Sequence, residues 1–254
     1  MERVTIITPS YNSPDICSTI NSVIKQTYPN IQYIVIDDAS DFFDVKYIAE
    51  YITENSKRNV EFKVLANEKN LGTIRSLNKA LLYATGKYIM ILAGDDWLYD
   101  EKVVEDIVQE FRRTNAMVLT GYRCVCNYEM NKEIQLLPTK RERQKIIKLS
   151  PKDLFEEMTG HNFIFGCCTS YSRKCFDKYG HYNENYRVIE DYIMNMVLLR
   201  NNVKFHFFDR VIVKYRSGGI SACQNISMKY IHESGAIFNY EIIPYSEDSR
   251  DKLL

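Results

Sequence analysis

Lys87-Tyr88-Ile89-Met90-Ile91-Leu92-Ala93-Gly94-Asp95-Asp96 decides how this chain is read. An apolar run of strand length stops on Gly94 and then on two adjacent carboxylates. Apolar residues at successive positions suit a strand buried on both faces, as in a parallel sheet covered by helices. Two neighbouring carboxylates repel each other unless a cation or hydrogen-bond donors offset the charge. A hard divalent ion with oxygen ligands is the simplest partner. A cap by Asp96 or Asp100 on a helix starting near Glu101 is the structural alternative.

Working outward, the same pattern recurs. Residues 4–8 are a β-branched strand closed by Pro9. Ser13-Pro14-Asp15 then reads as a helix start, with Ser13 as cap, Pro14 in the first turn and Asp15 behind it. Ile16, Ile20, Val23 and Ile24 follow at helical spacing. Residues 31–36 form a second strand ending on Asp37-Asp38, where a turn through Ala39-Ser40 would also account for the acids. A helix on Val45, Ile48, Ala49 and Ile52 and a strand over 61–65 follow. Next come a helix on Ile74, Leu77, Leu81 and Ala84, then the run at 87–92. A helix on Val103, Val104, Ile107 and Phe111 leads into a fifth strand over 116–121.

Alternating strands and helices with short connections imply right-handed crossovers and a mostly parallel sheet. Ligands of such sheets sit beyond the carboxyl ends of the strands. Pro9-Ser10-Tyr11-Asn12, Asp37-Asp38 and Asp95-Asp96 should therefore converge on one edge. The second half breaks the alternation. Residues 132–152 hold seven Lys/Arg and two acids with no clear period and read as an irregular loop. A short helix is expected over 153–158, a strand over 163–171, and a hairpin from 203–208 and 211–215. Glu190-Asp191 opens a helix through Ile193, Met194, Val197 and Leu198. Acids there suit the helix dipole, which predicts an ionised pair and so a general base. The expected organisation is one continuous domain in three parts: 1–122, 123–220 and a partly helical tail, 221–254.

Composition narrows the class. The 254 residues are 45% hydrophobic and 26% charged, as in globular proteins. Lys+Arg and Asp+Glu are both 33, so no basic field draws the chain to nucleic acid. The 19 Tyr and 12 Phe can build a core or line a groove for flat ligands. Seven cysteines (17, 124, 126, 167, 168, 175 and 223) include no C-x-x-C pair, which suits a reducing compartment. The N-terminus is too short in apolar residues for a signal peptide, and nothing approaches a membrane span. This reads as a cytoplasmic protein, touching at most the inner face of a membrane. The Asn225 sequon carries little weight without a secretion signal. The Lys140-Arg141-Glu142-Arg143-Gln144-Lys145 stretch suits either an anionic lipid surface, a lipid diphosphate, or plain solvent.

Asn70-Leu71-Gly72 opens a helix carrying Arg75, and helix-start amides with an arginine can meet a phosphate. No G-x-G-x-x-G, P-loop or G-x-S-x-G is present. The four histidines show no metal spacing. A nucleotidyltransferase would place glycines after the first strand, where Pro9-Ser10-Tyr11-Asn12 has none.

Together these motifs resemble the family 2 glycosyltransferases of the GT-A fold. The match runs through residues 4–12, Ser22-Val23, Gln26-Thr27-Tyr28 and 34–40. It continues with Asn70, Gly72 and Asn78, residues 84–88, Asp95-Asp96, Glu190-Asp191-Tyr192 and Tyr215-Arg216, over about 215 residues in order. The resemblance implies that Thr8, Pro9 and Tyr11 border the base and ribose of a nucleoside-diphosphate sugar. It implies that Asp38 accepts from a uracil-like ring N–H, and that Asn70, Gly72 and Arg75 lie near the nucleotide. Asp95 would contact the ribose or the metal, and Asp96 would bind Mn²⁺ or Mg²⁺ at the diphosphate. Asp191 would be the general base of an inverting transfer, with Glu190 supporting it. Position assigns His161, Tyr182, Tyr186 and Arg216 to the acceptor, a glycan or a lipid-linked sugar. Surface polysaccharide synthesis in bacteria is the setting such relatives suggest. Two departures are visible. Ala93 stands where many relatives have an Asp, and no His follows Tyr215-Arg216. A catalytically silent binding relative is the rival reading, against which both intact acid pairs speak.

Overall fold

A computed structural model describes residues 1–56, 60–218 and 228–246. Four parallel strands form one half of a single sheet: β1 (Val4–Ser10), β2 (Ile31–Asp37), β3 (Glu61–Ala66) and β4 (Tyr88–Ile91). The other half comprises β5 (Trp97–Leu98), β6 (Val118–Cys126), β7 (Glu133–Leu137), β8 (Thr169–Ser172) and β9 (Phe205–Arg216). The order is β3-β2-β1-β4-β8-β6-β9-β5, with β7 on the side of β6. β8 runs antiparallel between β4 and β6, while β9 lies parallel to β6. Because β6 spans residues 118–126, the sheet crosses the expected 122/123 boundary without a break.

The apolar strands are buried on both faces because alternate residues enter different cores. Ile34 and Ile36 of β2 face one core; Tyr33 and Val35 face the other. The first core is closed by α3 (Thr73–Leu81), α6 (Pro151–Met158), α7 (Arg173–Tyr179) and α8 (Glu190–Arg200). The second is closed by α1 (Ile16–Ile24), α2 (Val45–Asn55) and α4 (Val103–Thr114). α5 (Lys140–Lys148) and α9 (Met228–Ile237) complete the helices among the described residues, with a π-helical turn over Phe238–Ile242. Among the described residues no helix is long and apolar enough to cross a membrane.

Several sequence expectations need correction. Asp15, not Ser13, caps α1, accepting from Ser18 N at 3.2 Å, while Ser13 bonds Ser10 instead. Neither Asp96 nor Asp100 caps α4, which starts at Val103 without a side-chain cap. Residues 132–152 are no loop: they form β7, α5 and the start of α6. Thr139 and Glu142 close a capping box on α5, and Ser150 caps α6 with Pro151 in its first turn. Most of 163–171 is loop and a 3₁₀ turn (Gly166–Cys168), with only β8 as strand. The hairpin expected over 203–215 is one strand, β9. Its register against β6 shifts twice beside Thr120–Arg123, so the polar Asp209-Arg210 pair sits within a continuous strand. The described cysteines form no disulfide. Cys223 and the Asn225 sequon lie outside the described residues, as do 219–227 and 247–254 of the tail.

Candidate active site

The carboxyl ends of β1, β2 and β4 do converge. A cleft of about 510 Å³ opens there, lined among others by Pro9, Tyr11, Asp38, Asp95, Asp96, Tyr182, Glu190, Asp191 and Arg216. The fold places these side chains by short devices at strand ends. After β4 the chain turns at Gly94, whose N–H donates to Pro9 O at 2.9 Å and whose carbonyl accepts from Thr19 Oγ1. A Cβ on Gly94 would lie 2.6 Å from Ser13 Oγ and 3.3 Å from Pro9 O, so the turn packs tightly against the end of β1.

Asp96 is buried. Its Oδ1 accepts from Arg216 N at 3.0 Å, and its Oδ2 is buried with no partner. Burial first, then the neighbouring Cys167 and Asp95, push its carboxyl well above the usual range. Burial also raises Asp95. A buried carboxylate with an orphaned oxygen needs a cation to ionise, so this pair fits a divalent ion. Among the described residues no three Asp, Glu, His or Cys form a closed metal cage. Further oxygen ligands would have to come from a ligand or from water. Arg216 is held by Asp95 O, by Tyr128 O and by Asp15 at 3.9 Å, and so braces this floor rather than reaching outward.

Asp38 is also buried. Its Oδ1 accepts from Asn67 Nδ2 at 2.9 Å and Leu71 N at 2.8 Å, and its Oδ2 from Gly72 N at 2.8 Å. Asp37 beside it forms the turn, accepting from Ser40 N and Oγ. The helix-start amides expected to meet a phosphate are thus engaged within the protein. Leu71 and Gly72 bond Asp38, and Ile74 N donates to Arg187 O at 3.2 Å.

Glu190 and Asp191 open α8 on the facing wall. Asp191 Oδ2 accepts from Gly166 N at 2.9 Å and Asn162 Nδ2 at 3.2 Å, and its Oδ1 accepts from Tyr192 N at 2.7 Å. The expected lowering by the helix dipole does not prevail. Burial, then repulsion from Asp191, pushes Glu190 up to about 8, and burial raises Asp191 despite its three donors.

Several expected residues do not reach the cleft. Thr8 is buried within β1, accepting from Tyr33 OH at 3.0 Å. Asn70 bonds Asp38 O and receives Arg187 Nη2 at 2.9 Å. Gly72, at φ 89°, turns the chain into α3 and packs against Arg187. Arg75 points to solvent and pairs with Glu184 at 3.6 Å. His161 is exposed on Glu142 of α5 at 3.1 Å. Tyr186 is buried against Glu241 of the tail at 3.3 Å.

Other residues at the cleft were not singled out from sequence. Arg123 lines it from β6. Gly166 approaches Asp191 so closely that a Cβ there would lie 2.8 Å from Asp191 Cβ. Glycine inside an apolar run is a legible sign of such an approach. Glu233 of α9 accepts from Arg187 N at 2.7 Å and Val188 N at 3.1 Å, just before the acid pair. Nothing local in the sequence announces that clamp.

Comparison with known proteins agrees with this geometry. The profile described as glycosyl transferase family 2 matches residues 5–180, well over half of the chain. The UDP-Glc:alpha-D-GlcNAc-diphosphoundecaprenol beta-1,3-glucosyltransferase WfgD of Escherichia coli is 32% identical over 125 residues, 49% of this chain and 47% of WfgD. The chain thus spans about half the length of that relative. WfaP of Escherichia coli, which carries the same activity name, is 26% identical over 274 residues, 99% of each chain. The solved structure of Staphylococcus aureus TarS 1–349 with UDP superposes with a TM-score of 0.71 at 18% identity, over 98% of this chain and 68% of TarS 1–349. At that identity the likeness speaks for the fold, a GT-A sheet. The profile match over residues 5–180 places the chain in glycosyl transferase family 2.

Proposed function

We propose that the chain is an inverting glycosyltransferase. It moves a sugar from a nucleoside-diphosphate sugar, a UDP-sugar on our reading, to a hydroxyl of a glycan or lipid-linked acceptor. The observation that carries this is one cleft with Asp96, its Oδ2 orphaned, on one wall and the Glu190–Asp191 pair on the other. The UDP in the TarS structure and the lipid-linked substrate in the names of WfgD and WfaP support the substrate classes. Surface polysaccharide synthesis fits them, as does work at the inner face of a membrane.

Residues 1–122 would hold most of the donor, and residues 123–220 the acceptor and the base. Pro9 and Tyr11 flank the base, and Asp38 Oδ2 accepts one bond in the protein, leaving a lone pair for a ring N–H. Asp96 with Asp95 would hold Mn²⁺ or Mg²⁺, which supplies positive charge for the diphosphate when bound. Asp191 accepts the proton of the attacking hydroxyl, fixed toward it by Gly166, Asn162 and Tyr192. Oxygen attacks the anomeric carbon as the bond to the diphosphate breaks, so one displacement inverts the configuration. Glu190 supports Asp191, and Tyr182 offers an apolar wall.

Transfer from a panel of nucleotide sugars to a lipid-linked acceptor tests this, with the product's anomeric configuration read by NMR. Inversion is expected, and Asp191→Asn should lose on the order of 10²–10⁴-fold in rate with donor binding kept. Retention of configuration, or an Asp191→Asn enzyme at wild-type rate, would overturn the mechanism.

A further inference from the structure

Arg123 stands apart among the polar side chains of the cleft. Its guanidinium lies against two rings, with Cζ 3.6 Å from the Phe165 centroid and 4.3 Å from that of Tyr215. Two rings this close hold the cation by its π-contacts and leave its N–H groups for a ligand. Yet among the described residues Arg123 forms no ion pair and donates no hydrogen bond, and its Nε is buried without a partner. The other arginine of the cleft, Arg216, is fully engaged with Asp95, Tyr128 and Asp15.

Asp96 Oδ2 is the second orphan in this cleft. The remaining buried orphans, on Trp97, Arg143 and Asn195, do not line it. One cleft orphan is an acceptor and the other a cationic donor, and they do not satisfy each other. A ligand completing both must bring a cation to the acid and an anionic oxygen to the arginine, as a phosphoryl group with its counter-ion does. Arg123 also acts electrostatically on both Asp96 and Asp191, so its charge is within reach of both acids.

We propose that Arg123 binds the phosphoryl group of the donor next to the breaking bond and stabilises the leaving diphosphate. This rests on the reading of the cleft as a nucleotide-sugar site. As the anomeric C–O bond breaks, its electron pair stays on the bridging oxygen. The guanidinium edge hydrogen-bonds the charge that collects on that phosphoryl group and keeps all its protons. The diphosphate of a lipid-linked acceptor offers the same chemistry, so the test separates the two sources.

Calorimetry with wild type, Arg123→Met and Arg123→Lys makes the measurement, each variant first checked for a cooperative melt. The probes are the nucleoside diphosphate that wild type binds, its monophosphate and the nucleoside, with Mn²⁺ and with chelator. Arg123→Met should weaken the diphosphate about 10- to 100-fold with Mn²⁺ present and leave the monophosphate and nucleoside within about twofold. Arg123→Lys, which keeps the charge and loses the planar fork, should fall between, so the reading survives if the methionine variant does not fold. Equal diphosphate affinity in wild type and variants, with only the acceptor KM raised, would assign the arginine to the acceptor and overturn the proposal. Equal weakening of all three probes would reduce Arg123 to packing against its rings. A wild type that binds no nucleotide would sink the donor reading itself, whereas a binding wild type with an unaffected Arg123→Met would sink the role of the arginine alone.

Discussion

Gly166→Ala is a one-methyl probe of how Asp191 is placed. The added Cβ would lie 2.8 Å from Asp191 Cβ and 3.4 Å from its Oδ2. Ordinary carbon contacts need about 3.5–4.0 Å, so the two backbones must part by about 0.7–1.2 Å. The same glycine donates to Asp191 Oδ2 at 2.9 Å, so the displacement also loosens a bond that aims the carboxylate. A misplacement near 1 Å in a catalytic group costs on the order of 10²-fold, and overpacking costs about 1–3 kcal/mol of stability. The assay is turnover by release of nucleoside diphosphate, beside calorimetric donor affinity and a thermal melt. Turnover should fall about 100-fold while donor affinity stays within about twofold, because Asp38, Asp95 and Asp96 lie on other elements. A folded Gly166→Ala enzyme within about twofold of wild-type turnover would refute the claim that this glycine positions the base.

Asp38→Asn replaces an acceptor facing three N–H groups with a side chain half made of donors. It should lower stability by about 1–3 kcal/mol in urea unfolding; an unchanged midpoint would mean that the 70–72 loop does not depend on this carboxylate. Glu190 is raised to about 8 by burial, by Asp191 and by Glu233, with Tyr171 and Tyr182 also close. The native state then holds a proton that the unfolded chain releases near the ordinary carboxylate value. Stability from this group is full at acid pH and declines as pH rises toward 8. Glu190→Gln should therefore gain melting temperature relative to wild type between about pH 5 and pH 8; a pH-independent difference would contradict the shift. Glu233→Ala frees two backbone N–H groups ahead of the acid pair and should cost about 1 kcal/mol, read by the same unfolding.

Legibility followed periodicity. The strands of the first half are apolar at successive positions because both faces are buried, and the helices between them repeat at helical spacing. From these the convergence of Pro9, Asp38, Asp95 and Asp96 could be read. α5 does not show in the apolar period because it fully buries only Ile146 and is otherwise rich in Lys and Arg. Its capping box at Thr139 and Glu142 was the signal on offer. β9 looked like a hairpin because Asp209-Arg210 interrupts its apolar pattern. Both side chains reach outward to partners distant in sequence, Arg143 for Asp209 and Asp100 with Asp106 for Arg210. Helix position, a local feature, implies an ionised Glu190–Asp191 pair, whereas desolvation by residues distant in sequence raises both carboxyls. Arg123 escaped notice because an arginine on a half-buried strand is unremarkable until two rings and an acid-lined cleft surround it.

The central claim is that this cleft binds a nucleoside diphosphate through the Asp96 wall. Thermal melts with uridine, thymidine, guanosine and cytidine diphosphates, each with Mn²⁺ or chelator, test it most directly, in wild type and Asp96→Ala. A ligand at about 100 times its Kd adds roughly 2.7 kcal/mol, a rise of about 5–10 °C for a chain of this size. The account predicts such a rise for one nucleotide with Mn²⁺ in wild type, and its loss both in chelator and in Asp96→Ala. No rise with any of the four, or an equal rise in Asp96→Ala, would contradict it.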